Sequence, residues 1–149
     1  MQLHGEWFEC DDHVIRPTIR ADVRLAGSPA YDVRFLVDTA ADCTVLSADL
    51  VPGLAQLGPP PPGITLSGIG GSATFGMASC TLAFRRPGAV PVTVTGRFAV
   101  FTEPGVIDMC VLGRDVTNHF DLLVSWRDDT VLLVGGNERL TAVAVQTVA

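Results

Sequence analysis

An all-β fold with one short helix is what this sequence predicts, and three observations predict it. Stretches rich in Val, Ile, Leu and Phe recur at strand length, several of them alternating apolar with polar residues. Gly, Pro, Ser and Asp punctuate these stretches at short intervals. The chain has 149 residues, 48% hydrophobic and 17% charged. That composition buries a core instead of staying unfolded, at a length usual for one domain, 1–149.

Taken in order, Met1 to His13 reads as an N-terminal extension whose end, Asp11-Asp12-His13, is solvated. Val14 to Leu25 is a strand, and Pro17, which has no amide proton, marks an edge or a bulge in it. Gly27-Ser28-Pro29 is a turn, and Tyr31 to Val37 is the next strand. Ser47 to Leu50 suits a short helical turn stopped by Pro52-Gly53. Gly58 to Gly63 carries a run of prolines and forms a stiff surface connection inside the domain. Ile64 to Phe84 reads as a long hairpin with arms Ile64–Ser67 and Ala73–Phe84 and the tip Gly68-Ile69-Gly70-Gly71. In the strand Pro91–Phe101, alternation sets Val92, Val94 and Phe98 on one face. Ile107–Leu112 is a short apolar run, and Arg114–Phe120 suits a short helix. Asp121–Trp126 and Thr130–Val134 pair around Arg127-Asp128-Asp129, and Leu140–Val148 is a terminal strand.

Several function classes are disfavoured. The net charge of −6 argues against a nucleic-acid partner, because phosphate contacts need clustered Lys and Arg. No window approaches the roughly 20 uninterrupted apolar residues of a membrane span, so no membrane partner is expected. Met1 to Trp7 has neither the basic start nor the apolar run of a secretory signal. Cys10, Cys43, Cys80 and Cys110 form no Cys-x-x-Cys pair, and no His stands at zinc spacing from them. They read as free thiols of a reducing, cytoplasmic compartment, with no metal and no cofactor. His4, His13 and His119 are unclustered, and Trp7, Phe8 and Trp126 read as core or interface residues. The high apolar share points to an oligomer interface.

The segment that carries chemistry is Phe35 to Ser47. An apolar strand delivers Asp38 to the edge of the core, followed by Thr39, Ala40, Ala41 and Asp42, and the chain then turns apolar again. A carboxylate at such an edge needs a partner or a function. Asp128-Asp129-Thr130 also contains Asp-Thr, but it lacks a small third residue and reads as a hairpin turn.

Three segments in order, Asp38-Thr39-Ala40-Ala41-Asp42 with Thr44–Ser47 behind it, the tip Gly68–Gly71, and Val111-Leu112-Gly113-Arg114-Asp115, resemble the retroviral-type aspartic protease family, the retropepsins and their cellular relatives. The similarity spans Val14 to Val134. One residue departs from the pattern: Ala40 stands where the family has Gly after Asp-Thr or Asp-Ser. The resemblance implies a closed β-barrel or sandwich with a flap hairpin and a short helix in the C-terminal third. It implies a homodimeric endopeptidase in which Asp38 of each copy forms a dyad acting on extended peptides.

In that reading Asp38, Thr39 and Ala40 form the catalytic triplet. Thr39 braces the dyad across the dimer axis, the alternative being a Thr that satisfies a local turn. Ala41, Asp42, Gly68, Ile69, Gly70 and Gly71 contact substrate, the four tip residues as the flap or, alternatively, as an ordinary loop. Arg114 pairs with Asp42 to hold the loop against the helix, the alternative being two separate solvated charges. Two other functions stay open: a non-catalytic peptide-binding or dimerisation module of the same fold, and an unrelated β-barrel enzyme or carrier. Leu140–Val148 and Met1–His13 are both candidates for the dimer interface.

Overall fold

In a computed structural model the described residues are 1–26, 28–47, 57–68, 71–103, 105, 107 and 109–143. Their elements run β1 (Gln2–His4), β2 (Glu6–Glu9), β3 (Ile15–Leu25), β4 (Tyr31–Val37), β5 (Val45–Ser47), β6 (Leu66–Gly68), β7 (Gly71–Ala73), β8 (Phe75–Arg86), β9 (Ala89–Phe101), β10 (Cys110–Leu112), α1 (Arg114–Thr117), β11 (Asp121–Ser125), β12 (Thr130–Val134) and β13 (Arg139–Thr141).

The main sheet closes on itself. β4 pairs with β3, β3 with β8, β8 with β9, β9 with β5, β5 with β10, and β10 returns to β4. Six strands therefore form a barrel, with β2 added beside β3 and β13 beside β9. A second sheet, β1-β12-β11, packs against it, and β6 and β7 form a separate hairpin. The alternation expected in β9 is observed: Val92, Val94 and Phe98 are fully buried, together with Phe35, Leu46, Leu82 and Phe84 from facing strands. Burying side chains of this size stabilises by about 1.5–3 kcal/mol each, which fixes the register of every strand that carries one.

Some elements differ from the sequence expectation. The residues read as an N-terminal extension are part of the sheets: β1 pairs with β12 and β2 with β3, and Leu3 is buried. Pro17 lies opposite Trp7 of β2, just before the pairing of β3 with β4 begins at Thr18, so edge character holds there on one side only. The long hairpin of residues 64–84 is divided. Its tip is the three-residue pairing of β6 with β7, and β8 runs on to pair with β9 and β3. The helix stops at Thr117, where the Asn118 amide donates to the Arg114 carbonyl and the His119 amide to the Val116 carbonyl. Of the expected terminal strand Leu140–Val148, Leu140 and Thr141 belong to β13, which runs parallel to β9 of the same chain, and residues 144–148 lie outside the described residues. The turn expected from Ser47 to Leu50 also lies outside them, apart from Ser47, which ends β5.

Candidate active site

β4 ends at Val37 because the chain must leave the barrel to make room for β10. β10 lies between β4 and β5, parallel to the first and antiparallel to the second. Residues 38–44 form the loop that bridges this gap. Its start is fixed by the Asp38 amide, which donates to the Leu112 carbonyl at 3.2 Å, and by the Ala41 amide, which donates to the Asp38 carbonyl at 3.3 Å. Asp38 is half-buried, and its Oδ1 accepts the Ala40 amide at 2.9 Å. Thr39 and Ala40 are exposed and Ala41 is half-buried. Ala40 does not have a positive φ, so its methyl group brings no backbone strain to the loop.

A network behind the loop holds it in place. Thr44 is fully buried, and its hydroxyl and its amide donate to Asp115 Oδ1 at 2.7 and 2.9 Å. The Gly113 amide donates to Thr44 Oγ1 at 3.0 Å. Burial raises the Asp115 carboxyl above its ordinary value, and the hydrogen bonds from Thr44 oppose that rise. Gly113 is required by contact: a Cβ there would lie 2.3 Å from the Cys43 carbonyl carbon and 2.8 Å from the Thr44 nitrogen. Arg114 donates its amide to the Ala41 carbonyl at 2.9 Å and a guanidinium N–H to Asp42, so the ion pair expected from the sequence is present. Both partners are substantially exposed, which limits what the pair contributes to stability. The buried role of Asp115 was missed by the sequence reading. The available signal was a second acid directly after Arg114, in the very segment that carries the resemblance.

An open cleft of about 470 Å³ lies between this loop and the β6–β7 hairpin. Asp38, Ala40, Ala41 and Asp42 line one side, Ser67 and Gly71 the other, and Val45, Phe101 and Val111 make its wall apolar. Gly68 and Gly71 pair at the hairpin end, and Gly71 has φ of 110°, which favours glycine. Ile69 and Gly70 lie outside the described residues. Cys43 also faces the cleft, but burial, with Asp115 and Asp42 nearby, pushes its thiol up to about 11, so it stays protonated and poorly nucleophilic. All four cysteines are unpaired. None of the three histidines lines the cleft, and His119 hydrogen-bonds the Thr141 carbonyl at 2.7 Å instead. Among the described residues no three His, Cys, Asp or Glu side chains converge as a metal site.

No family model matches the sequence, and no curated protein matches it. Solved structures do. EIAV protease, solved with the inhibitor HBY-793, is 24% identical with a TM-score of 0.47, covering 69% of this chain and 86% of its own. A retropepsin-like aspartic protease from Rickettsia conorii is 16% identical with a TM-score of 0.51, covering 89% of this chain and 88% of its own. With its closed six-stranded barrel and, among the described residues, one short helix, this chain has a retropepsin-like fold.

Proposed function

We propose that the chain is a homodimeric aspartic endopeptidase that cleaves extended peptides. One observation carries the reading. A carboxylate just past the end of a barrel strand lines one side of an apolar-walled cleft whose other side is a hairpin ended by Gly68 and Gly71. Each chain offers one such loop, so the pair of carboxylates that this chemistry needs comes from two copies related by a two-fold axis. Held close together, the two Asp38 side chains cannot both ionise easily and share a proton. The charged member takes a proton from water, which attacks the scissile carbonyl, while the protonated member hydrogen-bonds that carbonyl and the leaving nitrogen is protonated in turn. The apparent titration belongs to the pair.

The other residues then take these roles. Thr39, exposed at the loop apex, reaches to the second copy's loop and braces the dyad. Ala40, Ala41 and Asp42 contact the peptide. Gly68, Ile69, Gly70 and Gly71 close over it as a flap, excluding water and adding backbone hydrogen bonds to an extended strand. Arg114 holds Asp42 and the loop against α1. No metal or organic cofactor takes part, and free thiols suit a reducing, cytoplasmic setting.

Ala40 in the glycine position favours one other reading, a peptide-binding module of the same fold without turnover. Cleavage of an unbiased peptide library, read by mass spectrometry over pH about 3 to 8, separates the two. Cuts made by the wild type and lost in Asp38→Asn are the expected result. A dimeric wild type that binds peptides and makes no cuts overturns the protease reading.

A further inference from the structure

We propose that the proline run Pro59–Pro62 is a docking surface for a partner protein that reads polyproline through an uncharged, aromatic-lined groove. The inference is independent of the Asp38 chemistry.

Proline fixes its own φ at about −65° and keeps the residue before it out of the helical region. Gly58, Pro59, Pro60 and Pro61 each precede a proline, so the run is confined to extended, polyproline II backbone. Such a helix has about three residues per turn, and burial follows that period. Gly58 and Pro61 are half-buried, while Pro59, Pro60, Pro62 and Gly63 are exposed. One edge of the helix therefore rests on the fold and the other two face solvent.

Both ends of the run are anchored. Gly58 exchanges two backbone hydrogen bonds with Met77 of β8, at 2.8 and 3.0 Å. At the other end the Ile64 amide donates to the Pro61 carbonyl at 3.3 Å, and Gly63 has φ of 75°, the pattern of a type II turn with Pro62 and Gly63 at its centre. The run is held in the conformation that a partner selects, so little ordering entropy is lost on docking.

The chemistry of the exposed edges defines the partner. Prolines offer apolar rings and no amide donor, and among the described residues nothing donates to the Pro59 or Pro60 carbonyl. A complementary groove supplies aromatic faces for the rings and donors for those carbonyls, as the grooves of polyproline-reading domains do. None of residues 50–84 is charged, so a groove that depends on a flanking Arg or Lys has nothing to hold. Ile64, 51% exposed just past the turn, extends the apolar surface. Thr65 and Leu66 follow it and line the cleft, which places a seated partner at the root of the β6–β7 hairpin.

Isothermal titration calorimetry of the full chain with a panel of isolated WW, SH3 and EVH1 domains tests this. A member of the panel is expected to bind, one domain per chain, with an affinity that changes less than about threefold between low and high salt. Free decaproline is expected to displace the chain from that domain. Pro59→Ala combined with Pro62→Ala strips one outward edge and is expected to raise the dissociation constant on the order of tenfold or more. Pro61→Ala, on the inward edge, is expected to change it less than about threefold. Binding by no member of the panel overturns the proposal, as does binding that survives excess decaproline, which needs no variant to fold. Binding that survives the Pro59 and Pro62 substitutions, or an equal loss in Pro61→Ala, also overturns it. Each of these outcomes leaves the protease reading standing, because peptide cleavage is not the readout.

Discussion

Thr44→Val removes one oxygen from the interior and changes the side-chain shape little, so its effect reports the network behind the Asp38 loop. Thr44 is fully buried, and its hydroxyl donates to Asp115 while accepting from the Gly113 amide. Losing a hydrogen bond to a charged group costs about 1.5–3 kcal/mol, and a buried amide left without an acceptor costs about 1–3 kcal/mol more. A total of about 3–5 kcal/mol lowers the melting temperature of a domain this size by roughly 10 °C. Because burial holds the Asp115 carboxyl above its ordinary value of 3.8, the native state keeps that proton where the unfolded chain has released it. The stability linked to this group is full below 3.8 and declines as pH rises through the raised native value. The Thr44 hydroxyl opposes the rise, so the substitution is expected to cost more at pH about 7 than at pH about 3.5. Urea unfolding of both proteins at the two pH values, at one fixed protein concentration, measures the difference. An equal cost at both pH values, or no cost at either, refutes the reasoning.

Three further outcomes are expected. Gly113→Ala drives a Cβ into the Cys43 and Thr44 backbone, and a loss of about 1–3 kcal/mol or more is expected in chemical unfolding, an unchanged midpoint arguing against the close approach. Arg114→Ala breaks an ion pair whose side chains are 41% and 68% exposed, so it costs the fold less than about 1 kcal/mol while weakening both dimerisation and turnover. An unchanged dissociation constant and rate would sink the loop-bracing role. Ala40→Gly removes a methyl group from the cleft beside Asp38, and faster peptide turnover at unchanged melting temperature is expected; a rate equal to or below that of the wild type removes crowding as the meaning of Ala40.

Local patterns predicted what depends on local patterns. Tyr31–Val37 is a strand over those very residues, because alternating burial and the following Asp-Thr-Ala both set its limits. Thr130–Val134 likewise follows from branched residues beyond a polar turn. The pairing of Asp42 with Arg114 was legible only through the resemblance, since 72 residues separate the two. β1 was not legible. It is three residues long, too short to show alternation, and its partner β12 lies at the other end of the sequence, so the long-range pairing with Val134 and Leu133 defines it. Asp115 entered only as the last residue of the Val111–Asp115 segment and carried no role of its own, since the first turn of a helix is where carboxylates are common. It is buried because Thr44, far away in sequence, offers it two donors. The divided hairpin was missed for a similar reason: β8 reads the same whether its partner is β6 or β9, and burial of Ala78, Cys80 and Leu82 against β9 decides.

The position of β10 also sets an order on folding. Cys110–Leu112 is the strand that closes the barrel between β4 and β5, yet it is made about three-quarters of the way along the chain. A nascent chain ending before it carries Asp38 without the Leu112 carbonyl that anchors the loop, and with its barrel open. The loop-closure entropy of joining strands more than 60 residues apart is met late and all at once, which slows folding and makes it cooperative. Unfinished chains on the ribosome therefore carry Asp38 on an unanchored loop, and the loop takes its final position only once β10 has emerged.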